Sequence, residues 1–222
     1  MSTLLQLRDA AREVANMENS TFVTDSELTR YINEEVKDLY LFIVGKYENY
    51  YVTEIPFTID AGQDGYAFPD GYMKFLALDR VEGNFTMTVQ PYTFNERNRY
   101  QNSIAFNWVG PVVLYDIQGG SIKLKPASSA PGSYVMFMVP TPPKLVADDD
   151  TLDSTLTVWE EYVINGAAAK CLIKEESDPS MLLGRQQQLQ VQIVQMAANR
   201  DAGRPQVIGD YSRWDDDEYW RF

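Results

Sequence analysis

Residues 23–60 read VTDSELTRYINEEVKDLYLFIVGKYENYYVTEIPFTID, and inside this stretch the apolar period changes from that of a helix to that of a strand. Thr24 is placed to cap a helix, Glu27 stands at the third helical position to close a capping box, and Val23 with Leu28 forms a hydrophobic staple. Leu28, Ile32, Val36, Leu39 and Ile43 then continue an apolar stripe at spacings of three and four toward Gly45, which predicts one long helix. After Tyr50, Thr53, Ile55, Phe57 and Ile59 alternate with Glu54, Pro56, Thr58 and Asp60, the pattern of a half-buried strand. Pro56 lacks an amide hydrogen and so marks that strand as an edge.

The stretches on either side decide how this helix-to-strand step fits a fold. Upstream, TLLQLRDAAREVANM (residues 3–17) places Leu4, Leu7, Ala11 and Val14 on one helical face. Downstream, strand periods recur in NFTMTVQ, with Phe85, Met87 and Val89 on one side, in VVLYDIQGGSIKLKP, with a hairpin turn at Gly119 and Gly120, and in SYVMFMV. PYTFNERNRYQN, between them, reads as a short helix or polar loop. A proline-rich linker, PTPPKLVADDDTLDS, closes the β stretch. Helical spacing then returns with Trp159, Val163, Ala167 and Cys171 on one face, and the small residues from Gly166 to Ala169 admit a close neighbour. Asp178 and Pro179 cap and start a last helix, which Gly203 and Pro205 end.

Neither helix pair can bury its stripe alone, so the first is expected to pack on the last. The fold class is α+β: a helix bundle made from N- and C-terminal helix pairs, an inserted antiparallel β sandwich or barrel projecting from it, and an extended C-terminal arm. The expected divisions are 1–49 for the first helices, 50–140 for the β unit, 141–204 for linker and last helices, and 205–222 for the arm.

The arm ends GDYSRWDDDEYWRF, threading Tyr211, Trp214, Tyr219, Trp220 and Phe222 through Asp215, Asp216, Asp217 and Glu218. A tail kept only for solubility would shed its aromatics, and a core strand would shed the acids. Burying five aromatic side chains yields roughly 7–15 kcal/mol, whereas fixing about 12 residues costs roughly 1–2 kcal/mol each. The arm is therefore expected to order only on a partner, as a docking peptide.

Composition narrows the chemistry. A chain of 222 residues is long enough to bury about 70% of its unfolded surface. No apolar run approaches the roughly 18 residues of a membrane span, and MSTLLQLRDAAREV lacks the features of a signal peptide, so a start near Met1 in a reducing cytoplasm is expected, with no membrane partner. Histidine is absent and Cys171 is the single cysteine, which excludes a disulfide within one chain, a zinc site of nitrogen and sulfur ligands, and any histidine-based triad. The net charge of −13 argues against wrapping nucleic acid and suits a surface that DNA slides past, or simple solubility.

The remaining candidates for chemistry read as structural. Adjacent acids at Glu34 and Glu35, at Asp148 to Asp150 and at Glu160 and Glu161 are taken as solvated faces and caps, since helical neighbours point in different directions. GQDGYAFPDG has turn glycines without a phosphate-binding context. Cys171, in an apolar register without a basic cluster, reads as a packing thiol. Lys123 and Lys125, alternating with Ile122 and Leu124, read as the wet face of a sheet, or as two charges facing DNA in a channel. No catalytic, cofactor or metal residue is assigned.

Taken in order, LTRYINEEVKDLYLFIVGKYENYYVTEIPFTIDAGQDGYAFPDGYMKF, GGSIKLKP, VWEEYVINGAAAKCLIKEESDPS and NRDAGRP resemble the bacteriophage head-to-tail adaptor, or connector, proteins. The resemblance implies a non-enzymatic virion protein of the neck, made in the host cytoplasm and assembled as a dodecameric ring. It further implies the portal protein on one side, tail tube, nozzle or other tail proteins on the other, and genomic DNA passing through the lumen unbound. Several such adaptors reach into the portal with an extended C-terminal segment, a role that falls here on Tyr211 to Phe222. The rival reading is a virion-associated carbohydrate-binding or hydrolytic β module, with Asp148 to Asp150 or Trp108 near its ligand.

Overall fold

The computed structural model describes residues 1–47, 49–100, 113–127 and 130–199. The chain opens with two helices, α1 (Leu4–Val14) and α2 (Asp25–Lys46). Both start with full capping boxes. Thr3 and Gln6 hold the first, and Thr24 and Glu27 hold the second, so the orphan amide hydrogens of each first turn are satisfied reciprocally. The staple residues Val23 and Leu28 are buried, as are all five residues of the long stripe on α2. On α1 the stripe turns out one residue later than its spacing predicts. Val14, the last helical residue, is exposed, and Ala15, at the cap where the helix unwinds, is buried in its place.

The C-terminal helices are α3 (Ser154–Thr157), α4 (Glu160–Lys174) and α5 (Ser180–Asn199). The helix expected around Trp159 is thus broken in two, with Asp153 capping the short piece and Trp159 at the start of the long one. The Asp178 carboxylate accepts from the Ser180 amide at 2.9 Å and so caps α5, as expected. α4 lies between α1 and α5, and α2 packs across it, so the two pairs share one apolar core. The stops at Gly203 and Pro205 lie outside the described residues.

Among the described residues, eight strands form the insertion: β1 (Thr53–Ile59), β2 (Gly65–Ala67), β3 (Tyr72–Glu82), β4 (Phe85–Thr88), β5 (Gln90–Pro91), β6 (Leu114–Gln118), β7 (Ser121–Lys125) and β8 (Gly132–Pro140). They build two four-stranded sheets in the orders β1-β8-β3-β4 and β2-β7-β6-β5. Phe57, Ile59, Leu78, Tyr134, Met136 and Met138 from the first sheet meet Ile122 and Leu124 from the second in one core, so the unit is a sandwich. Pro56 does sit on an edge strand, and Gly119 (φ 60°) with Gly120 makes the turn between β6 and β7.

Two details of the insertion go beyond its sequence pattern. The sheets are not wholly antiparallel, because β5 pairs parallel with β6. The chain leaves the first sheet at Val89, enters the second as β5, and must return to the same end before β6 begins, which fixes the parallel sense. Second, Phe85 and Met87 do not face a core. All four residues of β4 are exposed, Phe85 at 76%, and only Val89 of that run is buried.

The stretch read as a linker is anchored to the bundle. Leu145 is buried in the helical core, and Asn33 of α2 grips its backbone with hydrogen bonds to the carbonyl at 2.9 Å and from the amide at 2.8 Å. The amides of Leu4 and Leu5 donate to the carbonyls of Asp150 and Asp148. At the entry to the insertion Tyr40 stacks on Tyr51 with centroids 4.3 Å apart, while its hydroxyl donates to the Pro140 carbonyl at 2.6 Å. The two strands that cross between helices and β unit are therefore both tied to α2.

Candidate interaction surfaces

The residues expected to dock, Tyr211, Trp214, Asp215, Asp216, Asp217, Tyr219, Trp220 and Phe222, lie outside the described residues, as does Trp108. The last element described before them is α5, which runs to Asn199.

The acid pairs are brought into contact with partners rather than with one another as a catalytic dyad. Glu35 is not on a solvated face: it is 6% exposed, wedged between α2, α4 and α5. One of its oxygens meets the Lys170 ammonium at 2.9 Å and the other accepts from the Gln186 amide at 2.7 Å. Glu34 reaches the same Lys170 at 2.9 Å. Burial alone would lower the Lys170 pKa, but the hydrogen bonds it donates to Glu34 and Glu35 outweigh it and hold the ammonium above its ordinary value. Gly166 makes this possible. A Cβ there would collide with the Glu35 carboxylate and stand 2.6 Å from Nε2 of Gln186, so the small-residue run admits two polar side chains rather than a bare helix backbone.

Asp148 pairs with the mostly buried Arg8, and the Asp150 carboxylate accepts from the amides of Val146 and Ala147, which lowers its pKa. Of the acids the rival hydrolytic reading names, Asp148 is committed to Arg8 of α1 and Asp150 to the amides of its own loop. Glu160 accepts from the Ser2 hydroxyl, and Glu161 takes a two-pronged contact from Arg185, at 2.7 and 3.0 Å, which depresses its carboxyl. Lys123 and Lys125 both turn to Asp64, at 3.4 and 3.5 Å. Burial opposes ionisation of Asp64, yet the two ammonium groups hold its carboxyl low, and neither lysine is left as a lone charge for DNA.

Cys171 is buried in the bundle as expected, and burial pushes its thiol up, away from nucleophilic use. Among the described residues no group of three or more acids and cysteines is arranged to hold a metal ion. A shallow cleft of about 390 Å³ is lined by Asp9, Arg12, Glu13 and Glu18, but its one cation is engaged by the carbonyls of Ser20 and Val23 and by Asp25. No helix among the described residues is long and apolar enough to cross a membrane.

Sequence reasoning missed two exposed features. One is the ledge of Phe85 and Met87 on β4; its period is that of a buried strand, yet among the described residues it stays exposed. The other is the outer face of α5, where the signal was legible as a run of glutamines without charge, QQQLQVQ.

The ionisable side chains placed here mostly lock elements of the bundle and sandwich to one another. A family model described as SU10 adaptor protein matches residues 2–210. The match spans bundle, insertion and the chain beyond α5, and the protein belongs to the SU10 adaptor protein family of phage adaptors, structural proteins that are generally non-enzymatic. No curated protein matches the chain.

Proposed function

We propose that this chain is a subunit of an adaptor ring, a dodecamer, that joins the portal to the tail in the neck of a tailed phage, with the genome passing through its lumen. The observation that carries the reading is the family match over residues 2–210, running through both helix pairs and the insertion between them. The anchored crossings at Leu145 and Tyr40 support it, because a joint that bears load between two larger assemblies needs its β unit held to its bundle. The partners on this reading are the portal protein, the tail tube, nozzle or other tail proteins, and further copies of the chain. Genomic DNA passes without specific binding.

The arm is the portal-docking element in this proposal. Its aromatics supply buried area at the centre of the contact, and Asp215, Asp216, Asp217 and Glu218 sit at a wet rim and steer encounter. Several arms in one ring act together, so each can be weak.

Deleting residues 210–222 should leave the melting temperature unchanged while sharply reducing attachment to portal-bearing heads, read by co-sedimentation. Trp214→Ala and Trp220→Ala should each weaken attachment more than Asp216→Asn, whose effect should fade at higher salt. A truncated chain that joined heads as well as the intact one would end the docking-arm proposal.

A further inference from the structure

Residues 186–196, QQQLQVQIVQM, run along α5 without one ionisable side chain, in a chain of net charge −13. Leu189 and Ile193 enter the helical core and Gln186 is held by Glu35. Gln187, Val191 and Gln195 face the other way and are exposed, Val191 at 57%. The outward faces of the other long helices differ: α1 shows Asp9 and Glu13, and α2 shows Arg30, Glu34, Lys37 and Asp38. α1 and α5 both pack on α4 from different sides, so the uncharged face lies on a flank of the bundle.

We propose that this face of α5 is the lateral contact through which one copy of the chain packs against the next in the ring, an inference that rests on the adaptor-ring reading. Charge selects the occupant. A basic partner would be met by the acidic face of α1, whereas a second copy, itself at −13, is repelled there and can approach where this copy brings no charge. The chemistry is also self-matching, because each glutamine amide both donates and accepts, and so can meet like groups on a neighbour without either side carrying charge.

Size sets when the contact forms. Eleven helical residues span about 16 Å, and a face about 10 Å wide then offers on the order of 160 Å², against roughly 800 Å² per partner in a standard stable interface. The contact is too small to hold a free dimer. It acts once copies are gathered side by side on a common platform, where their local concentration is high.

Cys171 is buried, so Val191→Cys places an exposed thiol that takes a photoreactive maleimide selectively. Labelled protein mixed with excess unlabelled chain is bound to portal-bearing heads and irradiated. Covalent adducts between copies of this chain are expected, from dimers upward. Labelled protein that is bound to heads yet gives adducts only with portal or tail proteins, or none, overturns the inference and leaves the adaptor reading standing. If the unlabelled chain does not attach to heads, the adaptor reading falls and the inference falls with it. A second variant, Gln187→Glu with Val191→Glu, should keep the wild-type melting temperature and lower the copies retained per head at least several-fold. Undiminished retention would also overturn the proposal.

Discussion

Gly166→Ala should destabilise the bundle, although alanine is the better helix former. Substituting alanine for glycine within a helix favours it by up to about 1 kcal/mol. Against this, the added methyl group would fall within the Glu35 carboxylate and 2.6 Å from Nε2 of Gln186. Relief requires Glu35 to leave Lys170 and Gln186, with which it makes contacts of 2.9 and 2.7 Å. Overpacking a close-packed site costs about 1–3 kcal/mol. Breaking a buried ion pair costs about 3–5 kcal/mol, discounted here because Lys170 keeps Glu34 and is 28% exposed. The net expectation is a loss of about 2–3 kcal/mol, or a fall in melting temperature of roughly 4–12 °C for a chain of this size. Thermal unfolding followed by circular dichroism measures it. Gly184→Ala on α5 is the control. Its Cβ meets nothing within 4 Å, so that variant should gain up to about 1 kcal/mol. On a Glu35→Ala background Gly166→Ala should become neutral or favourable, which a double-mutant cycle reads as coupling. A Gly166→Ala protein as stable as Gly184→Ala would refute the argument that α2 and α5 send side chains across the bare glycine.

Thr24→Ala should cost about 1 kcal/mol in urea denaturation, because it removes the cap from the amide of Glu27 on α2. Glu27 bonds Lys174 first and Thr24 second, and these lower its carboxyl from 4.5 to about 2. A depressed pKa contributes stability above the unfolded value that is lost as pH falls through the folded one. The melting-temperature gap between wild type and Glu27→Gln should therefore be steady above about pH 4.5 and close between 4.5 and 2. Asn33→Ala should cost about 1–3 kcal/mol by leaving the amide and carbonyl of Leu145 unpaired. Hydrogen exchange should speed up at residues 145–150 before it does in α4.

Elements whose signals are local were legible in the sequence. The capping box at Thr24, the staple, the edge proline at Pro56 and the paired glycines at Gly119 each act within a few residues, and each is found where its spacing puts it. What failed depended on a partner distant in the chain. Nothing near Glu35 announces that Gly166, Lys170 and Gln186 will enclose it, so the rule that helical acids face water failed. Phe85 and Met87 alternate as a buried strand should, but whether a second sheet covers them depends on strands some 30 residues further on. The prolines after Pro140 signal an irregular backbone truthfully, yet whether such backbone hangs free or is clamped depends on Asn33 and Arg8. The arm was legible only as composition, in the alternation of aromatics and acids from Tyr211 to Phe222.

The location of the charge connects these features to the proposed assembly. The arm carries Arg213 and Arg221 among five acids, so most of the −13 belongs to the residues before it. There the cations are largely spoken for: Arg8 by Asp148, Arg12 by Asp25, Lys123 and Lys125 by Asp64, Lys170 by Glu34 and Glu35, Lys174 by Glu27, and Arg185 by Glu161. With these pairs made, exposed acids outnumber the exposed basic side chains, such as Arg30 and Lys37, on the described surface. On a ring, such a surface repels the phosphates of a passing genome, as a lumen must if DNA is to move through it without sticking. The same repulsion acts between neighbouring copies, and it keeps them apart until something gathers them. An uncharged flank such as that of α5 then has a specific value: it gives adjacent copies one place to touch without weakening the acidity that the lumen needs. Screening by salt should ease the approach of one copy to the next while it weakens any charge-steered encounter of the arm, so the two contacts of the proposed ring depend on ionic strength with opposite sign.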